Sequence, residues 1–384
     1  MDSLLGFEDE DFDPYDDEGF VSAEPEGLEE PQNATLCLGH EDVEKTLLGF
    51  VNSGSVPHAL IFSGQQGIGK STMAFRLARY LLEKGTPDSA QDSLFGDAPA
   101  EATSLDVSAE SPVFSKIASG GHPDFLYIGR PMDERKGKKK NNVDVETARK
   151  VAPFLRMTAS NGGWRVVVID DAGTMNRNAQ NALLKILEEP PSNTVLILVA
   201  HRLGALIPTI KSRCRVLNFA SLSQDTLDQL LMKACGDQLS ADDKKKLMAF
   251  AQGSMGQCQK ILDQDGIETM SNVISMLEQG ELHWSLIHQL SDSAGRAGQE
   301  ITFGHIEQAL CGVISLMIAA KARGQTMVDI APQFSSKYMA SKSIGEMVDL
   351  YDDLIAHFEQ THRGNLDKRQ SILSAFQLLQ AFMS

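Results

Sequence analysis

The chain has 384 residues, which at about 150 residues per domain predicts two to three domains. Hydrophobic residues make up 42% and charged residues 23%, a balance that excludes collagen-like, mostly disordered and disulfide-framework chains. The net charge of −17 argues against a protein that coats nucleic acid by bulk electrostatics. However, residues 1–33 hold 13 Asp and Glu with no Lys or Arg, so the rest of the chain carries only −4.

The first residues and the cysteines predict a cytoplasmic protein. The chain begins Met1-Asp2-Ser3 without the basic region of a secretory signal, and no apolar run approaches the roughly 18 residues that span a bilayer. The cysteines are scattered and include no C-x-x-C pair, which predicts reduced thiols without disulfides or a cysteine zinc site. They are Cys37, Cys214, Cys235, Cys258 and Cys311.

Residues 1–33 are acidic, contain proline and glycine, and carry aromatic side chains at Phe7, Phe12, Tyr15 and Phe20. Such a segment cannot bury enough apolar surface to offset its ordering entropy, so we predict a disordered tail. The aromatic residues would suit docking in a partner's groove, but the composition favours a solubilising tail.

Strand and helix patterns alternate over residues 34–219, which predicts an α/β domain with a parallel sheet covered on both faces. Apolar runs predict strands at 58–63, 125–128, 165–169, 195–199 and 215–219. Apolar residues at helical spacing predict helices at 70–83, 143–157 and 176–188. Residues 85–112 show little periodicity and suggest a surface insertion.

After Ala220 the pattern is helical throughout. Residues 220–265 predict a small domain of short helices, and residues 266–384 predict a second all-α domain. The longer helices of that last domain are predicted at Ile301–Lys321, Ile344–Gln360 and Lys368–Met383.

The segment from Gly64 to Ser71 reads GQQGIGKS and fits the phosphate-loop pattern G-x-x-x-x-G-K-[ST]. Its glycines let backbone N–H groups turn toward phosphate oxygens, and the following helix points its positive dipole end at them. The predicted nucleotide-binding residues in this segment are Gly64, Gly67, Gly69, Lys70, Ser71 and Thr72. A retained loop that no longer turns over ATP, and a glycine-rich turn that only caps a helix, are the alternatives.

Asp170 and Asp171 follow the apolar strand Val166–Ile169, as in a Walker B motif. An acid at this strand end lies beside the phosphate loop, so Asp170 with Ser71 would hold Mg²⁺ when nucleotide is bound. Asp171 would position an attacking water. Two polar residues that merely end a strand are the alternative interpretation.

Three further segments resemble one protein family. The run Asn181–Pro191, Ser212-Arg213-Cys214 and His122-Pro123-Asp124 resemble the clamp-loader branch of the AAA+ ATPases, strongly over residues 38–219 and more weakly toward the C-terminus. The resemblance implies a RecA-like sheet of strand order 5-1-4-3-2, a helical lid and a helical collar domain. It also implies a five-subunit ring that uses ATP to load a sliding clamp onto primed DNA.

The resemblance further implies the role of a stator beside tau/gamma motor subunits and a delta subunit. Arg213 would then act as an arginine finger in a neighbour's ATP site, whereas Arg213 alone would suggest a surface salt bridge. Three departures predict bound ATP or ADP with poor or absent hydrolysis. They are Asp171 in place of Glu, His201 in place of a sensor Thr or Asn, and Gly256 in place of the lid arginine. No cysteine lies between Ser111 and His122, so no zinc is expected.

Other interpretations remain open at this point. An active ATPase motor of the tau/gamma type and a P-loop transferase are the alternative functions. The basic run Arg135–Lys140 would suit contact with DNA or with the acidic tail, although a solvated hairpin loop is favoured. His201 is more readily structural than catalytic. The sequence contains no recognisable polymerase site, so any polymerase activity belongs to the whole assembly.

Overall fold

The computed structural model describes residues 29–84, 101–130, 132–133, 138–139, 142–160, 163–236, 238–262, 266–296 and 300–384. Most of the predicted acidic tail therefore lies outside the described residues. So does most of the predicted basic loop, apart from a two-residue strand at Lys138–Lys139 that pairs antiparallel with Met132–Asp133.

A five-stranded parallel sheet forms the centre of the amino-terminal half. Its strands are β1 Ala59–Ser63, β2 Phe125–Ile128, β3 Arg165–Ile169, β4 Thr194–Ala200 and β5 Arg215–Asn218. Their spatial order is β2-β3-β4-β1-β5, which confirms the predicted RecA-like order. Every residue of β1, β3 and β4 is buried, as their uninterrupted apolar sequences predict.

Seven helices are described around the sheet. They are α1 Glu41–Asn52, α2 Lys70–Lys84, α3 Pro112–Ala118, α4 Val145–Arg149, α5 Val151–Arg156, α6 Arg177–Glu188 and α7 Pro208–Lys211. The side chains of Ser111, Asp144 and Asn176 accept backbone hydrogen bonds and cap α3, α4 and α6. The single helix predicted over 143–157 was wrong, because α4 and α5 are separate helices that meet at Lys150.

Part of the predicted surface insertion packs against the α/β domain. Leu105 is fully buried, and Asn52 exchanges hydrogen bonds of 3.0 and 2.8 Å with the backbone of Ala102. The guanidinium of Arg76 in α2 pairs with both Glu44 and Asp106. Residues 101–111 are therefore part of the folded domain, and only residues 85–100 lie outside the described part.

The described chain after Asn218 is helical. Its helices are α8 Gln224–Cys235, α9 Ala241–Ala251, α10 Met255–Leu262, α11 Gly266–Glu278, α12 Trp284–Ala294, α13 Glu300–Ala322, α14 Pro332–Ser341, α15 Ile344–Gly364 and α16 Lys368–Met383. Within α13, Ile301–Ala322 is long and apolar enough to cross a membrane, contrary to the expectation that no such run exists. Half of that stretch is buried in the protein, and α13 packs against α11 and α15.

One hydrophobic cluster runs from one face of the sheet through α8–α10 into the carboxy-terminal helices. A second cluster, which includes Val143, Leu183 and Ile210, covers the other face. The predicted boundaries at 219/220 and 265/266 stay predictions, since apolar packing is continuous across both.

The His122-Pro123-Asp124 segment supplies a buried ion pair. Asp124 lies 3.0 Å from the guanidinium of Arg165 at the start of β3, and both residues are about 95% buried. Arg165 also donates to the carbonyls of Phe154 and Thr158, and Asp124 accepts from the backbone N–H of Ser160. The pair therefore ties the segment before β2 to β3 and to the end of α5.

Candidate functional site

The predicted phosphate loop lies between β1 and α2, with Lys70 as the first residue of α2. The N–H of Gly64 donates to the carbonyl of Ala200 at 3.3 Å. A Cβ atom at Gly64 would lie 2.4 Å from the carbonyl oxygen of Phe219, so the chain needs glycine here.

Every carbonyl of the loop from Gln65 to Gly69 accepts a hydrogen bond, and four of the five donors belong to residues outside the loop. The donors, in loop order, are Lys70 Nζ, Ser254 Oγ at 2.7 Å, the N–H of Gly256 at 2.9 Å, His40 Nε2 at 2.5 Å and Cys37 Sγ at 3.5 Å. Because these partners hold the carbonyls, the loop keeps a fixed shape without a phosphate to organise it.

Lys70 is 2% exposed, and its ammonium donates to the Gln65 carbonyl of its own loop. Burial lowers the pKa of Lys70 to about 8, although the charges of Asp170 and Asp171 oppose that shift. A phosphate oxygen that enters the loop would compete with the Gln65 carbonyl for this ammonium.

Asp170 and Asp171 end β3 beside the loop, as predicted. Asp170 accepts from the N–H of Asp171 at 2.9 Å and from the hydroxyl of Tyr127 at 3.2 Å. Asp171 has a left-handed backbone with φ of 50°, and its carboxylate contacts His201 Nε2 and Arg130 Nε, the latter at 2.7 Å. These contacts, with His201 first, hold the pKa of Asp171 below its usual value.

The contacts of Asp171 bear on its predicted role. Two cationic or hydrogen-bonding groups occupy both of its oxygens, so the carboxylate is not available to orient water. His201 at the end of β4 has this carboxylate as its partner, which agrees with the structural interpretation of the histidine.

Sequence reasoning missed Tyr127 and Arg130. Tyr127 lies in β2 and Arg130 follows the strand by two residues, and β2 pairs in parallel with β3. Since parallel strands present their carboxyl ends at one edge of a sheet, the polar residues at and just after the end of 125–128 were the signal that would have placed them beside Asp170.

A cavity of about 510 Å³ opens next to the loop. The loop and α2 supply Gly67–Thr72, the helical lid supplies Lys233, Met255 and Gly256, and the chain before α1 supplies Leu36 to Leu38. Apolar walls beside a ring of N–H and ammonium donors suit a nucleoside di- or triphosphate, with the base against the leucines. Among the described residues, no group of three His, Cys, Asp or Glu side chains is arranged to hold a metal ion.

The lid touches the phosphate loop through glycine. Gly256 is the second residue of α10 and stands where motor subunits of the clamp-loader family carry arginine. It packs directly on Gly67, and a Cβ on Gly256 would lie 2.7 Å from the Gly67 Cα. Ser254 is fully buried in the same contact. The glycine therefore permits a close backbone contact as well as omitting a charge.

Replacing Gly256 with alanine is expected to lower the thermal unfolding midpoint. Alanine favours a helix by up to about 1 kcal/mol, but the forced separation of the lid from the loop costs about 1–3 kcal/mol. Gly304→Ala in α13 is the matched control, because its Cβ would meet no atom within 4 Å and should raise the midpoint. An equal rise in both variants would contradict the close contact.

Arg213 follows α7 and lies outside that cavity. Its guanidinium donates to the Thr209 carbonyl at 3.0 Å and to Glu188 Oε1 at 2.8 Å, and its side chain is 36% exposed. The buried Gln180 of α6 fixes the segment before α7, because it donates to the Ala205 carbonyl and accepts from the N–H of Ile207. Arg213 is thus displayed on the surface from an anchored segment.

Known proteins resemble this chain chiefly in its α/β half. The profile of the family described as DNA polymerase III, delta subunit, matches residues 39–223, just under half of the chain. Over these residues the chain is similar to that family.

The similar proteins include several named as subunits of DNA polymerase III. DNA polymerase III subunit delta' of Pseudomonas aeruginosa is 32% identical over 217 residues, which are 56% of this chain and 59% of that protein. Subunit delta' of Escherichia coli is 28% identical over 238 residues, covering 58% and 63%. Subunit gamma of Buchnera aphidicola is 27% identical over 237 residues, covering 61% and 58%. The chain thus spans about three fifths of the length of these relatives.

Among solved structures, a gamma-subunit-related protein of Thermotoga maritima has a TM-score of 0.42 and 16% identity, and the alignment covers 88% of this chain and 99% of that one. The strand order of the parallel sheet, and not this alignment, identifies the fold as RecA-like.

Proposed function

We propose that this chain is a delta-prime-type stator of a bacterial DNA polymerase III clamp loader, where it acts mainly through a neighbouring subunit. The observation that carries the proposal is Arg213, displayed in the Ser-Arg-Cys segment outside the chain's own cavity and held by the exposed Glu188. A guanidinium so displayed can enter a neighbour's ATP site and stabilise negative charge that develops on the γ-phosphate.

The chain's own site fits nucleotide binding better than turnover. The cavity and the loop donors support binding of ATP or ADP, while Asp171 is occupied by Arg130 and His201 and Gly256 supplies no cation. A carboxylate whose two oxygens are both engaged by protein groups is a poor base for an attacking water. We infer an idle or slow site in a subunit that does not itself polymerise DNA.

The proposed partners follow from the proposed role. They are tau/gamma motor subunits and a delta subunit directly, and the sliding clamp and primed DNA through the complex, in the cytoplasm. The basic run Arg135–Lys140 lies outside the described side chains, so the favoured solvated loop and the alternative contacts with DNA or with the acidic tail stay predictions. The absence of zinc and the role of the acidic tail also stay predictions.

An active motor of the tau/gamma type is the second candidate. The complete phosphate loop with its cavity favours it, and relatives named gamma and tau match over a similar length. The contacts of Asp171 and the absent lid arginine weigh against it.

Assembly and turnover of the purified chain separate these candidates. Mixed with tau/gamma and delta subunits of its own organism, the chain should enter a five-subunit complex in native mass spectrometry. Alone, it should hydrolyse ATP no faster than its Lys70→Ala variant. Turnover by the chain alone that Lys70→Ala abolishes would support the motor instead, and failure to assemble would contradict both.

A further inference from the structure

The fold family implies a magnesium ion beside the phosphate loop, and the two carboxylates present there do not fit one. Mg²⁺ requires near-octahedral oxygen ligands at about 2.0–2.1 Å, sheds water reluctantly, and is usually held by one or two carboxylates together with substrate phosphates. A fitting site would therefore offer carboxylate oxygens of Asp170 and Asp171 that face the loop without competing donors.

All four oxygens of these two carboxylates already have a donor or cation. One oxygen of Asp171 lies 2.7 Å from Arg130 Nε, and the other contacts His201 Nε2. One oxygen of Asp170 accepts from the backbone of Asp171, and the other accepts from the hydroxyl of Tyr127. Asp171 is about 85% buried, so water does little to weaken its pairing with Arg130.

The charges around the site also disfavour a bound magnesium ion. Lys70 and Arg130 together cancel the charges of Asp170 and Asp171. Lys260 of α10 interacts with the same cluster of charges, since burial and the charge of Arg130 lower its pKa. A divalent cation would enter a cluster that is already neutral and would meet repulsion from at least two cations.

We propose that Arg130, supported by His201, takes the place of the divalent cation, so that this cavity binds a nucleoside di- or triphosphate without magnesium. A guanidinium carries five N–H donors, and one that turns its Nε toward Asp171 keeps terminal N–H groups for β- or γ-phosphate oxygens. The inference rests on the nucleotide-binding part of the proposed function and is independent of the stator role of Arg213.

The test is a titration of the full chain with ADP by calorimetry, in EDTA and in excess MgCl₂. The wild-type dissociation constants should agree within about twofold in the two buffers, because the added ion has no place to bind. In EDTA, Arg130→Gln should bind ADP about tenfold more weakly than wild type, equivalent to about 1.4 kcal/mol. Unlike wild type, this variant should bind ADP more tightly in MgCl₂ than in EDTA. Arg149→Gln, an exposed arginine of α4, is the matched control and should behave as wild type.

Two results would overturn the proposal. Wild-type binding that is tenfold or more tighter with magnesium would show that the ion has its usual place. Failure to bind ADP in either buffer would remove the nucleotide site altogether, while leaving the trans-acting role of Arg213 to be judged in the assembled loader.

A second measurement needs no variant. Mn²⁺ titrated into wild-type protein with ADP, followed by electron paramagnetic resonance, should be held no more tightly than by ADP alone. A protein-bound Mn²⁺ signal that requires ADP would contradict the proposal even if Arg130→Gln fails to fold.

Discussion

Arg213→Ala is expected to reduce ATP hydrolysis at the neighbouring motor site by on the order of 10³-fold in the reconstituted loader with clamp and primed DNA. The loss follows because a cation delivered in trans acts where charge develops in the transition state, inside a site that excludes water. Single-turnover hydrolysis measures this site better than the steady-state rate, to which other motor sites contribute.

The pairing of Arg213 with Glu188 does not oppose this role. Their side chains are 36% and 50% exposed, and an exposed pair of this kind is worth only about 0–1 kcal/mol. A triphosphate with several negative oxygens competes easily with one solvated carboxylate. We therefore expect Glu188 to hold the guanidinium in place in the free subunit and to release it on assembly.

Two variants control for the Arg213 experiment. Arg213→Lys keeps the charge but loses the planar set of donors, so it should recover only part of the rate. Arg156→Ala removes an exposed arginine at the end of α5 and should leave the rate unchanged. An unaltered rate for Arg213→Ala in a fully assembled complex would argue against the arginine finger.

Asp124→Ala is expected to lower the free energy of unfolding of the α/β domain by about 3–5 kcal/mol. The substitution leaves the buried guanidinium of Arg165 without its carboxylate and frees the N–H of Ser160. Urea unfolding followed by the fluorescence of Trp164, which directly precedes Arg165, measures the loss in a Trp284→Phe background that removes the other tryptophan.

Matched variants distinguish this buried pair from an ordinary surface charge. Glu110→Ala, at an exposed turn, should change stability by less than about 0.5 kcal/mol. Asp124→Ala combined with Arg165→Met should recover most of the loss, because no uncompensated charge remains buried. A loss for Asp124→Ala below about 1 kcal/mol would contradict the structural importance of the pair.

The strands of the sheet could be predicted from the sequence because each one is indicated by a short, contiguous run of apolar residues. The apolar runs at 166–169 and 195–199 are typical of buried strands between two helical layers. Their spatial order came from the family resemblance, since strand order depends on tertiary contacts that no short pattern contains. The break at Lys150 escaped prediction because the apolar periodicity of α4 continues into α5.

The candidate site was predicted only in part. The glycines, Lys70 and the two aspartates follow from a contiguous motif, but the partners of the aspartates come from the ends of β2 and β4. The sequence also shows that Gly256 replaces the lid arginine, but it does not show what the glycine contacts. The contact of Gly256 with Gly67 exists only once the lid has folded onto the loop.

We propose that this chain works through Arg213 rather than through its own phosphate loop. The most direct measurement compares clamp- and DNA-stimulated ATPase of loaders that contain either the Arg213→Ala or the Lys70→Ala chain. We expect a sharp loss for Arg213→Ala and a rate within about twofold of wild type for Lys70→Ala, because a finger acts on a neighbour's nucleotide while Lys70 acts on its own. Equal losses in the two loaders would exclude this role of Arg213.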